Sequence, residues 1–320
     1  MKGKQKVYVW AVDPFVEDLG PQKETAQALS ELTNGRPVTI QPVYLYSPKL
    51  FGTPMVIPET LHHKIEAEGR QKIGSLVESV GIEGVEPLEV VSRPFTRLKD
   101  GVKLLVEHAR SLGAELIALG TYARRGARRW LVGSFAEAMT EISDIPLLVL
   151  NPEWGHRTDF SRILFATDFS EESHRAFQQV IAFAAERGAG ISLFHKVNFG
   201  LAPGFDVAFG SYPSYPLLFD QEVRDRKELA EEWLNEADKS GVKGEANVDS
   251  TSIVSVAQAI LDEADRRPSL IALASQSGPI ERVLLGSATR KIVRDAKDPV
   301  WIVHPSSQGA SQRLTRNQVA

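Results

Sequence analysis

An internal repeat constrains this chain more than any other feature. LIALGT at Leu116 to Thr121 returns as LIALAS at Leu270 to Ser275, and LVGS at Leu131 to Ser134 returns as LLGS at Leu284 to Ser287. Each Gly-Ser pair leads into a helical pattern and then a matching close, DIPLLVLNP ending at Pro152 and DPVWIVHP ending at Pro305. The openings also agree, with VYVWAVD reaching Asp13 and ILFATD reaching Asp168. Four correspondences in one order indicate a duplicated unit, so the chain must fold twice by the same plan. The polar stretch NPEWGHRTDFSR, Asn151 to Arg162, marks the junction. The expected division is 1–155 and 156–306, with 307–320, poor in apolar residues, as a loose tail.

Within each half, β-branched runs alternate with helical patterns. VYVWAV, PVTIQPVYLY, PLEVVS, LIALG and PLLVL are the expected strands of the first half; ILFAT, GISLFHKV, ANVDST, SLIALA and VWIVH are those of the second. Between ILFAT and GISLFHKV, apolar residues three and four apart place Ala176, Val180, Phe183 and Ala184 on one helix face, and Gly188 supplies a stop. Alternating strands and helices predict two doubly wound α/β domains, each with a parallel sheet covered on both faces. Ligands of such sheets sit beyond the carboxyl ends of the strands, where Asp13, Asp168 and both post-LIAL loops fall.

Composition removes several function classes. The chain has 320 residues, long enough for two cores, and a net charge of −4 that argues against a dedicated nucleic-acid binder. It contains no Cys, hence no disulfide, thiolate metal site or cysteine nucleophile. The opening MKGKQKVYVWAVDPFVED turns acidic too soon for a signal peptide, and no run is apolar enough to span a membrane, so a cytoplasmic protein is expected.

The loop GTYARRGARRWLVGS, Gly120 to Ser134, carries the most informative chemistry. A helix start leaves backbone N–H groups unpaired and partly positive, and small residues let a phosphate approach them. Gly133 and Ser134 precede a helical pattern in that way, and Gly120 at the strand exit lets a nucleotide lie close to the backbone. Arg124, Arg125, Arg128 and Arg129 add attraction for phosphate, or serve as a solvated surface; Trp130 reads as a packing anchor.

At these residues the chain resembles the universal stress protein family, whose nucleotide-binding members carry Gly, two residues, Gly, nine residues, Gly, then Ser or Thr after the fourth strand. Gly120, Gly133 and Ser134 match, and Gly126 matches a further loop glycine, while Ala123 stands at the second glycine position. VDP and TDFSEES extend the resemblance, with Asp13 and Asp168 at the acid that holds the adenosine end. The resemblance spans nearly the whole chain and implies a tandem form of the adenine nucleotide alpha hydrolase-like fold, with five parallel strands per domain. It implies that the halves pair through their last strands, PLLVL and VWIVH, with further homodimerisation left open. It also implies ATP or AMP as ligand, held in the first half by Asp13, Gly120, Thr121, Ala123, Gly126, Gly133 and Ser134. Magnesium or manganese are the companions such a nucleotide could bring. In the second half Asp168, Ser275, Gly286 and Ser287 are the corresponding positions, but Ala274 and Ser277 replace two glycines and the loop is one residue shorter. The sequence therefore favours the first half as the site.

Plainer readings stand beside these. Asp13 and Asp168 also suit turns that bond backbone N–H groups, Ser170 suits an N-cap, and Ser134 and Ser287 could be caps alone. His62, His63, His174 and His195 show no ligand spacing and read as ordinary histidines rather than a metal set. The aromatic-rich stretch Gly204 to Asp220 reads as a partly packed connection or a partner surface. Three functions follow: a stress-response protein that binds adenine nucleotide without robust catalysis, a nucleotide-free scaffold acting through an unidentified protein partner, and a nucleotide-transferring enzyme. The absence of GxxxxGK[ST] and of a water-activating base disfavours the third and leaves at most slow ATP hydrolysis.

Overall fold

The computed structural model describes residues 5–48, 59–121, 134–151, 154–155, 160–197, 215–251, 253–275 and 286–304. The first half runs β1 (Lys6–Ala11), α1 (Gly20–Thr33), β2 (Val38–Tyr46), α2 (Glu59–Val80), β3 (Glu89–Ser92), α3 (Leu98–Ser111), β4 (Ala114–Gly120), α4 (Ser134–Ile142) and β5 (Leu147–Leu150). The second runs β6 (Arg162–Ala166), α5 (Glu171–Arg187), β7 (Gly190–Lys196), α6 (Tyr215–Lys239), β8 (Gly244–Asp249), α7 (Val256–Arg266), β9 (Leu270–Ala274), α8 (Ser287–Asp295) and β10 (Val300–Val303).

All strands join one ten-stranded sheet in the order β3-β2-β1-β4-β5-β10-β9-β6-β7-β8. Pairing is parallel within each half, and the order reverses between β1 and β4 in one half and between β6 and β9 in the other. Parallel strands buried on both faces need unbroken apolar runs. LIAL of β4, LLVL of β5 and VWIV of β10 are accordingly buried at every position. Alternate residues then feed two cores: Leu148 and Leu150 join Trp10, Phe165, Phe177 and Trp301 on one face, while Leu147 and Val149 join Val9, Ile271 and Ile302 on the other. Each core contains residues of both halves.

The junction is the antiparallel pair β5–β10, with Trp301 opposite Leu148, as the resemblance implies. Pairing covers one strand edge of each half, β5 in the first and β10 in the second. Helices reinforce it. Lys6 Nζ lies 2.8 Å from the Glu186 carboxylate, Arg36 donates to the Glu186 carbonyl at 2.7 Å, and Arg187 donates to the Leu32 carbonyl at the end of α1. Arg187 also lies over the Phe183 ring, 4.7 Å from its centroid, and burial with nearby Arg36 pulls its pKa down to about 10. Asn151 Nδ2 bonds the Arg294 carbonyl at 3.2 Å across the same seam.

α5 shows how local signals set an element. Ser170 is the N-cap and accepts from the Ser173 amide, Ala176, Val180 and Ala184 are buried, and Gly188 ends the helix at φ +66°. Phe183, on the flank of that face, packs on Trp301 of β10 within the second half, with ring centroids 4.6 Å apart. Among the described residues no helix is long and apolar enough to cross a membrane. Residues 307–320 lie outside the described residues.

Candidate functional site

Both strand-order reversals create a crevice at the carboxyl ends of the strands, and an aspartate stands at each. Asp13 follows β1 and Asp168 follows β6, and each accepts the backbone N–H two residues on, from Phe15 and Ser170, at 2.9 Å. The same turn is thus built twice. It does not give the same carboxylate. At Asp13, burial raises the pKa above the ordinary value, against the opposing Phe15 amide and Lys72. At Asp168, burial also acts upward, but hydrogen bonds from Ser170 and from the Ser173 hydroxyl, the latter at 2.6 Å, outweigh it and hold the group below its ordinary value. Asp168 is therefore an ionised acceptor at neutral pH.

Strand register places the next pair. Ala11 pairs with Val43 and Ala166 with Phe194, so Tyr44 of β2 and His195 of β7 occupy equivalent positions beside the two aspartates. Tyr44 packs on Phe15 with ring centroids 5.4 Å apart, and Lys72 Nζ covers the Phe15 ring at 4.9 Å. Burial beside Asp13 raises the Tyr44 pKa, so its hydroxyl stays neutral. His195 packs on Phe169 at 4.9 Å and its Nδ1 lies 2.8 Å from the Thr167 carbonyl. Burial lowers its pKa, against the Thr167 bond, which holds the ring neutral near pH 7.

A cavity of about 390 Å³ opens at this end of the second half. Asp168, His195 and Lys196 line it from the β6 and β7 ends, Glu222 and Arg226 from α6, and Gly286 from the start of α8. Its volume lies within the range of small-molecule pockets. Arg226 donates to Glu222 at 2.7 Å, and Lys196 stands 3.6 Å from Asp249 with both side chains shielded from water.

The opposite wall carries donors. Gly286 is the N-cap of α8, no side chain among the described residues caps the helix, and Ala288 and Thr289 line the cavity. A Cβ built on Gly286 meets nothing within 4 Å, so packing does not demand glycine there. The cap reading of Ser287 is corrected by this geometry: Ser287 is the first helical residue and is exposed, and Gly286, which has no side chain to cap the first-turn amides, holds the cap position. Ser275 lines the cavity floor, with its Oγ 2.7 Å from His304 Nδ1.

In the first half, Gly120 has a packing reason. A Cβ there would come within 3.0 Å of the Thr25 hydroxyl and 3.3 Å of the Pro21 carbonyl, so the missing side chain lets α1 start against β4. Thr121 is buried and its amide donates to the Leu150 carbonyl at 2.7 Å. Ser134 begins α4. Ala123, Gly126 and Gly133, the loop arginines Arg124, Arg125, Arg128 and Arg129, and Trp130 lie outside the described residues, as do Ser277 and most of the aromatic-rich stretch.

The structure thus brings Asp168, Ser275 and Gly286 together around one cavity. Sequence reasoning overlooked Lys196, Glu222 and Arg226. The position of HK at the end of an expected strand was a usable signal for Lys196, whereas nothing local marks Glu222 and Arg226 on a charged helix. Among the described residues no group of three or more His, Asp or Glu could hold a metal ion. His62 bonds the Tyr46 hydroxyl and His174 bonds Glu236, each at 2.7 Å.

Comparisons with known proteins agree with this architecture. The model of the Universal stress protein family matches residues 24–151 and again residues 159–304. The chain belongs to that family, in a tandem two-domain form. A universal stress protein from Archaeoglobus fulgidus DSM 4304 superposes with a TM-score of 0.61 at 16% identity, over 94% of this chain and 98% of that one. A functionally unknown protein from Pseudomonas aeruginosa PAO1 gives a TM-score of 0.55 at 10% identity, over 98% of each chain. The Archaeoglobus fulgidus universal stress protein solved in complex with dAMP is 21% identical over 44% of this chain and 96% of its own, with a TM-score of 0.33. No curated protein matched.

Proposed function

We propose that this protein is a stress-response protein that binds an adenine nucleotide, ATP or AMP, without robust catalysis, and that the second-half cavity is a binding site for it. One observation carries the reading: an uncapped helix start at Gly286 faces the same cavity as the ionised Asp168 carboxylate. Bare amides and a helix dipole favour phosphate. A carboxylate with one oxygen committed to the turn has its other oxygen for ribose hydroxyls or an amine. Gly286 fits this use, because its missing Cβ leaves open space where a phosphate would approach backbone.

The first-half counterpart extends the proposal. Asp13, Gly120 and Thr121 stand at the equivalent strand ends, and Ala123, Gly126, Gly133 and Ser134 would complete that site. The sequence ranks this half ahead; the described cavity gives the second half its own case. A divalent cation would enter as the companion of a bound triphosphate.

Calorimetry with AMP and with ATP, each with and without magnesium, tests the reading. Binding is expected for the native chain, with Gly286→Val weakening the second-half component by about a hundredfold through steric exclusion of phosphate. Its folding stability should change little, because a Cβ at this position meets no atom within 4 Å. No heat and no rise in melting temperature at millimolar nucleotide would leave the scaffold reading instead. Release of ADP or pyrophosphate well above background would point to the enzyme.

A further inference from the structure

One side chain in the second-half cavity has its hydrogen-bonding polarity set by the backbone beneath it. His195 Nδ1 lies 2.8 Å from the Thr167 carbonyl oxygen. A carbonyl only accepts, so Nδ1 carries the hydrogen, and the neutral ring presents Nε2 as a bare lone pair. Turning the ring over would forfeit that bond, and Phe169 packs against it at 4.9 Å. The described hydrogen bonds include no donor to Nε2.

We propose that His195 is a specificity-determining residue of the second-half site: its Nε2 accepts a hydrogen bond from an N–H or O–H group of the guest. This inference rests on the nucleotide reading above. Its content is the sign of the recognition. The Asp168 carboxylate lines the cavity beside His195 as a second acceptor, Glu222 and Arg226 satisfy each other as an ion pair, and Lys196 and Ser173 line it too, so the sign is set at Nε2 itself. A guest atom that offers Nε2 only a lone pair meets repulsion, and one that offers a hydrogen is held. In a nucleotide, the donor is either the exocyclic amine of adenine or a ribose hydroxyl. The equivalent first-half position, Tyr44, imposes no such sign, because a hydroxyl rotates to donate or accept.

Protonation inverts the device. A proton on Nε2 converts the acceptor into a donor, so affinity falls as pH drops through the His195 pKa where the guest offers an amine, whereas a hydroxyl turns to accept. Burial sets that pKa below the ordinary 6.5, the Thr167 bond opposes the shift, Arg226 assists it, and Asp168 and Glu222 oppose it. Binding through an amine should accordingly be full at pH 8 and weaken on acidification below pH 6.5, and binding through a hydroxyl should not.

The test compares AMP, IMP, 2′-deoxy-AMP and 3′-deoxy-AMP by calorimetry at pH 8 on the native chain, His195→Phe and Gly286→Val. Second-half binding is the component that Gly286→Val removes. His195→Phe should weaken that component about tenfold for AMP, the loss of one buried hydrogen bond. One analogue should show a similar deficit on the native chain and lose it on His195→Phe, as a coupled pair must. A deficit for IMP assigns the amine, and one for a deoxy analogue assigns the hydroxyl. Equal AMP affinity in His195→Phe, or deficits that persist in it, overturns the assignment while leaving the nucleotide site standing. Absence of any AMP binding to the native chain removes both. Should His195→Phe fail to fold, nitrogen-15 spectra of the native chain decide: an Nδ1–H tautomer whose Nε2 resonance moves on adding AMP supports the role, and an Nε2–H tautomer or an unmoved resonance overturns it.

Discussion

The two halves are built on one plan and differ in the side chains at the carboxyl ends of their strands. Both place an aspartate in the same turn after the first strand, yet Asp13 is half-buried with its pKa pushed up and Asp168 is exposed with its pKa pulled down. Tyr44 faces His195, Thr121 faces Ser275, and Gly120 faces Ala274 across the pseudo-symmetry. Val303 and Leu150 accept equivalent amide bonds from Ser275 and Thr121, so His304 is the counterpart of Asn151. Duplication kept what the backbone needs, and the side chains around the crevice diverged. Imidazoles stand in the second half, His195 and His304, where the first half has the phenol of Tyr44 and the amide of Asn151.

The sharpest way to break this comparison uses His304. Burial pushes its pKa down to about 4, from an ordinary 6.5. The unfolded chain binds the proton more readily, so stability falls as pH drops below 6.5 and the loss levels off below the folded value. At pH 4 that loss is about 3 kcal/mol from this group. His304→Asn, which copies the first half, should remove that share of the acid sensitivity in urea titrations run at pH 7 and pH 4. An unchanged difference between the two pH values would show that the halves respond to acid alike.

Packing at the fourth strand gives a second, smaller contrast. Gly120→Ala should cost about 2 kcal/mol, because the methyl meets Thr25 and the Pro21 carbonyl and α1 must shift. Ala274→Gly in the second half should cost about 1 kcal/mol, the loss of a methyl and added freedom of the unfolded chain. Denaturant midpoints of the two variants compare them directly, and a harmless Gly120→Ala would dissolve the packing explanation of that glycine.

The smallest expected effect concerns the paired turns. At pH 7, Asp168→Asn should destabilise by about 1 kcal/mol, because the neutral amide weakens the bonds from Ser170 and Ser173. Asp13→Asn should cost less or stabilise slightly, since it removes a charge that burial penalises. Thermal melts at pH 7 that rank the two variants in the opposite order would contradict the carboxylate assignments.

Much of this contrast was legible in the residues. The repeated LIAL runs, the Asp13 and Asp168 strand exits and the Ser170 to Gly188 helix are short-range patterns, and each appears where its spacing places it. The site was less legible. The glycine loop drew the ranking toward the first half, whereas the described cavity belongs to the second and takes Glu222 and Arg226 from a helix whose pattern announces only a solvated face. His195 read as ordinary because its meaning depends on the Thr167 carbonyl, a neighbour many residues away in sequence. Gly120 read as a phosphate feature because its contact with α1 is equally remote.

The amino-acid order alone determined the duplication, the alternation of strand and helix, and the parallel sheets, because periodicity and turn chemistry act between near neighbours. Tertiary structure decided which side chains share a crevice, which carboxylate stays charged, and which imidazole nitrogen carries the hydrogen. Those properties come from burial and hydrogen bonds between residues that only the folded sheet brings together.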